Sequence, residues 1–300
     1  MSTRAATVSP VLHALLTGVV DYAGLFPPAA LSMSAAAAEY AAHRSSPFGW
    51  MLGRFVAPVA RLDELASAHA NLADAGQGAW PLSVLVSADP AGDSEVIRAF
   101  NTRHGDRLTI ESVESRAATV EAISWALPLL DDSLERYVEI PLNAPRSLLA
   151  ALARHGGRAK ARTGGVTADA FPPAPEVARF ILGCAQLDLP FKATAGLHHP
   201  LRGEQRLTYE SDSPSATMFG FLGVFGAAAL ARRGADEAML VKVLEERDPD
   251  AFAFEGDTMR WRDHTIDIGS VSAARHELAL SFGSCSFREP VEDLRRLGLL

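Results

Sequence analysis

The sequence predicts an α/β fold, a (β/α)8-like barrel of the TIM type. Between Trp50 and Pro200, apolar stretches of strand length alternate with helical stretches at a repeat of roughly 30 residues, which is typical of parallel βαβ units. Lysine and glutamate side chains occur near the ends of consecutive predicted strands, where barrel enzymes carry their active residues. The 300 residues are 48% hydrophobic, enough to bury the core of one such domain.

We expect a single barrel domain over residues 1–300. Residues 1–48 are predicted to form N-terminal helices and a covering loop, and residues 49–200 to form six βα units. Residues 201–300 are predicted to be mainly helical with one hairpin. Because the alternation ends after Pro200, the seventh and eighth strands are expected to be missing or degenerate. Whether residues 201–300 complete the barrel or cap it stays open.

The N-terminal segment begins with a predicted helix that Ser9 and Pro10 start and that runs to about Val20. The following stretch, DYAGLFPPAAL at 21–31, contains Gly24 and two prolines, which exclude regular structure, yet it is too apolar for a free loop. A packed loop is expected. It acts either as a lid or plug of the barrel or as a buried structural loop.

Six strands are predicted from length, β-branched content and flanking turn residues. They cover residues 51–59, 81–87, 108–113, 136–142, 158–162 and 191–195. Beyond them, 218–233 is predicted as an apolar helix and 252–261 as a hairpin about a Glu-Gly-Asp turn. Glycines at every third position of that helix form a small-residue strip, which suits either a homodimer contact or packing within the chain.

Alternation along the strands predicts which side chains share the barrel interior. In each predicted strand an aliphatic face opposes a polar one, and the polar faces bring together Glu111, Glu139, Lys160, Arg162 and Lys192. Buried charges must be paired, so a structural ion-pair layer is one interpretation. The other, which we favour, is a catalytic site at the strand ends.

Lys192 lies in KATAGL, residues 192–197, at the end of the last predicted strand. This stretch resembles the lysine-bearing strand of class I aldolases of the deoxyribose-phosphate aldolase group, in which K-x-[ST]-x-G ends the sixth barrel strand. The resemblance implies a Schiff-base lysine at Lys192. In that group a second lysine lies on the following strand, whereas Lys160 is predicted on the preceding one. A neighbouring cation would favour the neutral amine that attacks a carbonyl, with Glu139 or Glu111 moving protons.

Residues that could bind an anionic substrate surround the two lysines. Arg162 can bind a carboxylate or phosphate with two hydrogen bonds, and the turn Thr163-Gly164-Gly165 can present backbone N–H groups to an anion. Thr194 shares the polar face of Lys192, and Asp21 and Tyr22 lie in the predicted covering loop. The predicted partner is therefore a small anionic substrate.

His198 and His199 precede Pro200 and allow two interpretations. One histidine can serve as a general acid or base, and we assign that role to His198. Alternatively both, with the glutamates, bind a divalent metal in a metal-dependent lyase, isomerase or hydrolase. Cys285 is interpreted as a buried thiol rather than a nucleophile, because no histidine base is near it in sequence.

Charge and cysteine content limit the class of protein. The formal net charge of −8 disfavours nucleic acid and acidic membranes as partners, and no span long enough for a bilayer is present. Two cysteines without metal-type spacing fit a reducing, cytoplasmic location. We therefore expect an enzyme with lyase or aldolase-type chemistry on a small anionic carbonyl compound and no cofactor. Its rivals are the metal-dependent enzyme and a barrel that binds an anionic metabolite without turnover.

Overall fold

The computed structural model describes residues 8–76, 78–143 and 146–300, so residues 1–7 of the predicted N-terminal segment lie outside it. Eight parallel strands form a closed barrel with helices packed around it, which confirms the predicted fold class. The barrel strands are β1 (Val20–Tyr22), β2 (Leu52–Pro58), β3 (Trp80–Leu85), β4 (Leu108–Arg116), β5 (Glu135–Glu139), β6 (Arg158–Arg162), β7 (Phe191–Thr194) and, near the C-terminus, β13 (Ala279–Ser284). The ring closes where β1 pairs with both β2 and β13.

Eleven helices lie within the described ranges, most of them between consecutive barrel strands. They are α1 (Pro10–Leu16), α2 (Met33–Arg44), α3 (Leu62–Ala70), α4 (Pro90–His104), α5 (Val120–Ala126), α6 (Arg146–Arg154), α7 (Ala174–Gln186), α8 (Phe221–Arg232), α9 (Glu237–Leu244), α10 (Ile268–Glu277) and α11 (Arg288–Arg296). Short 3₁₀ turns occupy Gly49–Met51, Val59–Arg61, Leu127–Leu129, Ala168–Ala170 and Pro249–Ala251. None of the described helices is long and apolar enough to cross a membrane.

Sequence alone determines where many helices begin. The Ser9 hydroxyl accepts a hydrogen bond from the Leu12 N–H and caps α1, as predicted, and Ser32 caps α2 in the same way. Asp89 and Asp236 accept from backbone N–H groups in the first turns of α4 and α9. Each cap satisfies a donor that the helix itself leaves unpaired.

The six predicted strands are the second to seventh strands of the barrel, not the first to sixth. β1 was missed because it has only three residues and lies where a helix end and a loop were predicted. The last strand, β13, forms from residues around SFGSCSF near the C-terminus. The expectation that the seventh and eighth strands are missing is therefore wrong. With the corrected count, Lys160 belongs to the sixth strand and Lys192 to the seventh.

Residues 201–300 both complete and extend the barrel. β13 closes the ring, whereas the stretch after Pro200 forms an antiparallel hairpin, β8 (Gly203–Arg206) with β9 (Ser215–Met218), although its polar composition predicted a loop. The predicted hairpin at 252–261 is confirmed as β10 (Phe252–Glu255) and β11 (Thr258–Trp261). A third strand, β12 (His264–Asp267), pairs with β11 and makes a small sheet.

The predicted helix at 218–233 is confirmed as α8, and its glycine strip is used within the chain. A Cβ placed on Gly223 would lie 2.9 Å from the Val243 carbonyl oxygen of the α9 helix, and one on Gly226 would lie 3.1 Å from Met259 Cε. Glycine at these positions lets α9 and β11 approach closely. A homodimer would have to use another surface.

Closure by β13 can be tested at Phe282, whose fully buried ring stacks on Phe221 of α8 at a centroid distance of 5.2 Å. We expect Phe282→Ala to lower the free energy of unfolding by about 3–5 kcal/mol, because it leaves a cavity in the core. Urea denaturation followed by circular dichroism measures this change. Trp125→Ala is the matched control, since that aromatic side chain is 61% exposed, and it should cost at most about 0.5 kcal/mol. Equal losses would contradict a core role for β13.

Candidate functional site

The candidate site is a cavity of about 790 Å³ at the carboxyl ends of the barrel strands. Its floor includes Lys160, Lys192 and Glu114, and the β8–β9 hairpin forms part of its wall. This is the end of the barrel at which barrel enzymes bind substrate. The two lysines that the sequence singled out thus face one cavity.

Lys192 is the most deeply buried of these charges, with 1% of its side chain exposed. Its Nζ lies 2.5 Å from Asp21 Oδ2 and 2.7 Å from Glu114 Oε1. Burial acts to lower the pKa of Lys192, but the two carboxylates outweigh it and raise that pKa above its ordinary value. Lys192 is therefore an ammonium group at neutral pH.

Asp21 is held rigidly beside Lys192. Its Oδ1 accepts the backbone N–H of Arg54 at 2.9 Å, and its Oδ2 also accepts the hydroxyl of Ser281 at 2.8 Å. A Cβ on Gly53 would lie 2.5 Å from Asp21 Oδ1, so glycine is needed there for the carboxylate to reach this position. Asp21 was predicted as a substrate-binding residue of a loop, whereas it is a buried residue of β1.

Glu114 joins the two lysines. Its Oε1 lies 2.7 Å from Lys192 Nζ, its Oε2 lies 2.7 Å from Lys160 Nζ, and the Ser83 hydroxyl donates to Oε1 at 2.6 Å. Burial acts to raise the pKa of Glu114, but the two ammonium groups outweigh it and hold that pKa well below its usual range. Glu114 is thus an ionised carboxylate that two cations share.

Glu114 was not predicted as a site residue, because the predicted third strand ended at Val113. Within that strand, Glu111 was the acidic residue expected to face the barrel interior. In the structure β4 continues to Arg116, and its pairing with β3 shifts by one residue between Ile110 and Ser112. This bulge changes which residues face the barrel axis. The signal was present as polar residues at alternate positions, namely Ser112, Glu114 and Arg116.

Lys160 lies between Glu114 and Glu139, and its Nζ is 3.1 Å from Glu139 Oε2. Glu139 in turn accepts from Arg162 Nε at 2.8 Å and contacts Arg116 Nε at 3.3 Å. Burial acts to raise the pKa of Glu139, yet Lys160 and the arginines lower it below its ordinary value. The predicted grouping of Lys160, Arg162, Glu139 and Lys192 is thus observed.

Together these residues form a continuous ion-pair chain that we call the mouth cluster. It contains three carboxylates and four cations, in the order Asp21, Lys192, Glu114, Lys160, Glu139, Arg162 and Arg116. The mouth cluster extends from the buried interior to Arg162 and Arg116, whose side chains are 40% and 68% exposed. With all groups ionised the mouth cluster has one positive charge in excess.

Glu111 does not join this cluster. It lies near the amino-terminal end of β4, where its Oε2 is 3.0 Å from Arg54 Nε. Arg54 also pairs with Glu135, which pairs with Arg158 at the start of β6. These groups line a separate cavity at the opposite end of the barrel. The structure therefore offers Glu111 no contact with the residues at the mouth.

The predicted anion-binding turn after β6 has mixed roles. The Thr163 hydroxyl is fully buried and donates to the Ala195 carbonyl at 2.6 Å, so it ties β6 to the loop after β7. A Cβ on Gly164 would lie 3.0 Å from the Cα of Gly196, which shows how closely the two loops approach. Gly165 and Thr194, which were also predicted to bind substrate, line the cavity.

Tyr22 is placed away from the cavity lining. Its ring is fully buried, and its hydroxyl donates to Glu39 of α2 at 2.7 Å. Burial and the Glu39 carboxylate both raise the pKa of Tyr22 above its ordinary value. Phe26, Pro27 and Pro28 of the following loop do line the cavity, which agrees with the expectation that this apolar loop covers something.

His198 and His199 both line the cavity, and each pairs with a carboxylate of α11. His198 Nδ1 lies 2.8 Å from Glu289 Oε2, and His199 Nδ1 lies 2.5 Å from Asp293 Oδ2. Glu289 and Asp293 are four residues apart on one helix face, so they can meet adjacent histidines of a loop. Burial acts to raise the pKa of Glu289, but the His198 hydrogen bond lowers it below its ordinary value.

The metal alternative joined these histidines to Glu111 or Glu139, and the structure pairs them with Glu289 and Asp293 instead. Among the residues that the structure describes, no group of three or more histidine, cysteine, aspartate and glutamate side chains could hold a metal ion. Cys285 lines the cavity with 6% exposure, and its Sγ lies 3.6 Å from the Tyr209 hydroxyl. Burial raises the pKa of Cys285, as expected of a buried thiol.

No family model matches this chain, and comparisons with curated proteins and with solved structures found no match. The interpretation of the site therefore depends on its own residues and geometry.

The central position of Glu114 gives a stability prediction. We expect Glu114→Gln to lower the free energy of unfolding by about 3–5 kcal/mol, because it removes the carboxylate that two buried ammonium groups share. The control is Glu111→Gln on the same strand, whose ion pair with Arg54 is partly exposed and should contribute at most about 1 kcal/mol. Urea denaturation at pH 7 measures both. A loss for Glu114→Gln no larger than that of the control would contradict the bridging role.

The pH dependence of this loss has a definite sign. Since the folded-state pKa of Glu114 is lowered, its contribution is present above its unfolded pKa, about 4.3, and is lost as the pH falls further. The difference in unfolding free energy between the wild type and Glu114→Gln should therefore be constant from pH 7 to about pH 5. It should shrink below about pH 4, as measured by urea denaturation at each pH. A difference that grows on acidification would contradict the assigned ionisation.

Proposed function

We propose that the chain is an enzyme that forms an imine with a small anionic carbonyl compound and carries out lyase or aldolase-type chemistry on it. The observation that carries this proposal is the mouth cluster, in which Lys160 and Lys192 share Glu114 at the floor of a cavity. Two amines beside one carboxylate provide a nucleophile, a neighbouring cation and a proton carrier.

Lys160 is the better nucleophile of the two. Lys192 is kept charged by Asp21 and Glu114, so it serves as the cation that disfavours a second positive charge nearby. Both carboxylates that Lys160 contacts are shared with other cations, Glu114 with Lys192 and Glu139 with the arginines. Loss of a proton from Lys160 would leave the mouth cluster with equal numbers of positive and negative charges.

The corrected strand order also supports this assignment. The aldolase group that KATAGL resembles has a lysine on the sixth strand and a second on the following strand. Lys160 and Lys192 are on the sixth and seventh strands and are paired residues in the β6–β7 register. Lys160 then takes the nucleophilic role that the sequence assigned to Lys192, and Lys192 becomes the neighbouring cation. The match has a departure, because Arg162 stands at the third position of the stretch KARTG.

The chemistry follows from these positions. The neutral Lys160 amine attacks the carbonyl carbon, and a proton moves from nitrogen to oxygen to give a carbinolamine. Protonation of its hydroxyl group expels water and leaves an iminium ion with a new C–N bond. The iminium withdraws electrons, so a bond to the adjacent carbon can break or form with its electron pair held as an enamine. Glu114 and Glu139 lie beside Lys160 Nζ and can carry the protons of imine formation. We assign proton exchange with the substrate to His198, and its hydrogen bond with Glu289 supports this assignment.

Borohydride trapping tests the proposal. The protein is incubated with small keto acids and aldehydes and borohydride, and adducts are detected by intact mass and located by peptide mapping. We expect a reduced adduct on Lys160. We expect Lys160→Met to lose it. Lys192→Met should still form it on Lys160 but more slowly, because loss of the neighbouring cation makes the neutral amine less favourable.

Three outcomes would change the conclusion. An adduct on Lys192 alone would return the nucleophilic role to the lysine that the sequence first indicated. The absence of any adduct in wild-type protein over a broad panel would contradict imine chemistry. Metal analysis of that sample would then test the metal-dependent alternative, and saturable anion binding without turnover would favour a binding barrel. Circular dichroism spectra establish that each variant is folded.

A further inference from the structure

We propose that Arg206 of the β8–β9 hairpin is a specificity-determining residue that binds an oxyanion group of the substrate distant from the reacting carbonyl. The reaction at the substrate's carbonyl group rests on the proposed function, whereas the binding of its oxyanion group depends only on the cavity. That oxyanion group is a carboxylate or a phosphate-type group.

Arg206 differs from the other arginines of the cavity in its partners. Arg116 and Arg162 both pair with Glu139, whereas Arg206 has no ion pair or side-chain hydrogen bond within the part of the chain that the structure describes. Its side chain is exposed, and the residue lines the cavity. A guanidinium group in this position can offer two parallel N–H donors to an incoming oxyanion.

The charge of the cavity favours such a ligand. Five cationic and three acidic side chains line it, counting histidines as neutral. One of the acidic residues, Glu204, lies two positions from Arg206 on β8 and forms no ion pair with it in the structure. Asp21 and Glu139 contact the lysines and arginines from outside the lining, so Arg206 is the lining cation that contacts no carboxylate among the described residues. A negative charge of the ligand would therefore be bound at Arg206. Low-dielectric cavity walls strengthen this attraction.

The hairpin is anchored well enough for Arg206 to act in recognition. Arg206 pairs with Ser215 in the two-stranded register, and the next residue, Leu207, is buried with 3% exposure. Beyond it, the Tyr209 hydroxyl lies 3.4 Å from Glu289 Oε2, the carboxylate oxygen that contacts His198. The segment that carries Arg206 is thus connected to α11 through Glu289, which also lines the cavity. Preorganisation of this kind reduces the entropy cost of binding.

The experiment compares matched carbonyl compounds in the trapping assay. Butanal is compared with 4-oxobutanoate, which adds a carboxylate, and acetone with 2-oxopropylphosphonate, which adds a phosphonate. We expect wild-type protein to reach half-maximal trapping at a concentration about 10- to 100-fold lower for at least one charged member than for its neutral counterpart. Arg206→Gln should lose that preference and leave trapping of the neutral compounds unchanged. Arg206→Lys should recover part of it, because the charge is kept and the paired donors are lost.

A control variant and a direct binding measurement separate this inference from the proposed function. Arg103→Gln makes the same charge change on the exposed surface of α4 and should behave as wild type. Titration calorimetry with succinate and with inorganic phosphate measures oxyanion binding that needs no imine. Binding that Arg206→Gln weakens about 10-fold or more supports the inference even if no adduct is ever trapped. The carboxylate and phosphate arms decide which group is preferred. Equal behaviour of Arg206→Gln and wild type in both assays would overturn it.

Discussion

The carboxylate of Glu114 is the group on which the arrangement of the barrel interior depends. Two ammonium groups, those of Lys160 and Lys192, lie within 2.7 Å of its oxygens, and each of the three side chains is at most 5% exposed. Buried charges of one sign repel strongly at low dielectric, so neither lysine could occupy this position without a shared counter-ion. Against the effect of burial, Lys160 and Lys192 lower the pKa of Glu114, and Asp21 and Glu114 raise the pKa of Lys192.

The same contact couples strands that are far apart in the chain. Lys192 of β7 binds Glu114 of β4 across the barrel and Asp21 of β1 on its other side. Asp21 accepts from Ser281 of β13, so the charges connect the first and last strands at the point where the ring closes. Hydrophobic packing outside the ring supplies most of the stability, but the polar interior requires one register. A one-residue slip of any of these strands would turn a charge away from its partner.

The repeat of strands and helices predicted the barrel. Side-chain alternation along the strands then grouped Lys160, Lys192, Glu139 and Arg162, because inward positions of regular parallel strands converge. The prediction of inward-facing residues failed wherever the backbone departs from regular strand geometry. Because of the bulge in β4, Glu114 and not the predicted Glu111 belongs to the mouth cluster. The three residues of β1 were too few to give any periodic signal. Arg206 and Glu289 reach the cavity only through tertiary placement of a hairpin and a C-terminal helix, which no local pattern in the sequence encodes.

The two ends of the barrel differ in a way that distinguishes structural charge from functional charge. At the amino-terminal end, Arg54 and Arg158 are ion-paired with Glu111 and Glu135, and the buried Arg275 donates to backbone carbonyl groups, among them those of Leu15 and Thr17. Each cation of this group has its partners within the described residues, as a purely structural layer of charges should. The mouth cluster has four cations for three carboxylates, and the cavity above it contains Arg206, which has no ion pair among the residues that the structure describes. Because Arg116 and Arg206 are exposed, solvent screens much of this excess, and the guanidinium group of Arg206 remains accessible to an anionic ligand. This arrangement of charges supports the substrate binding that we propose.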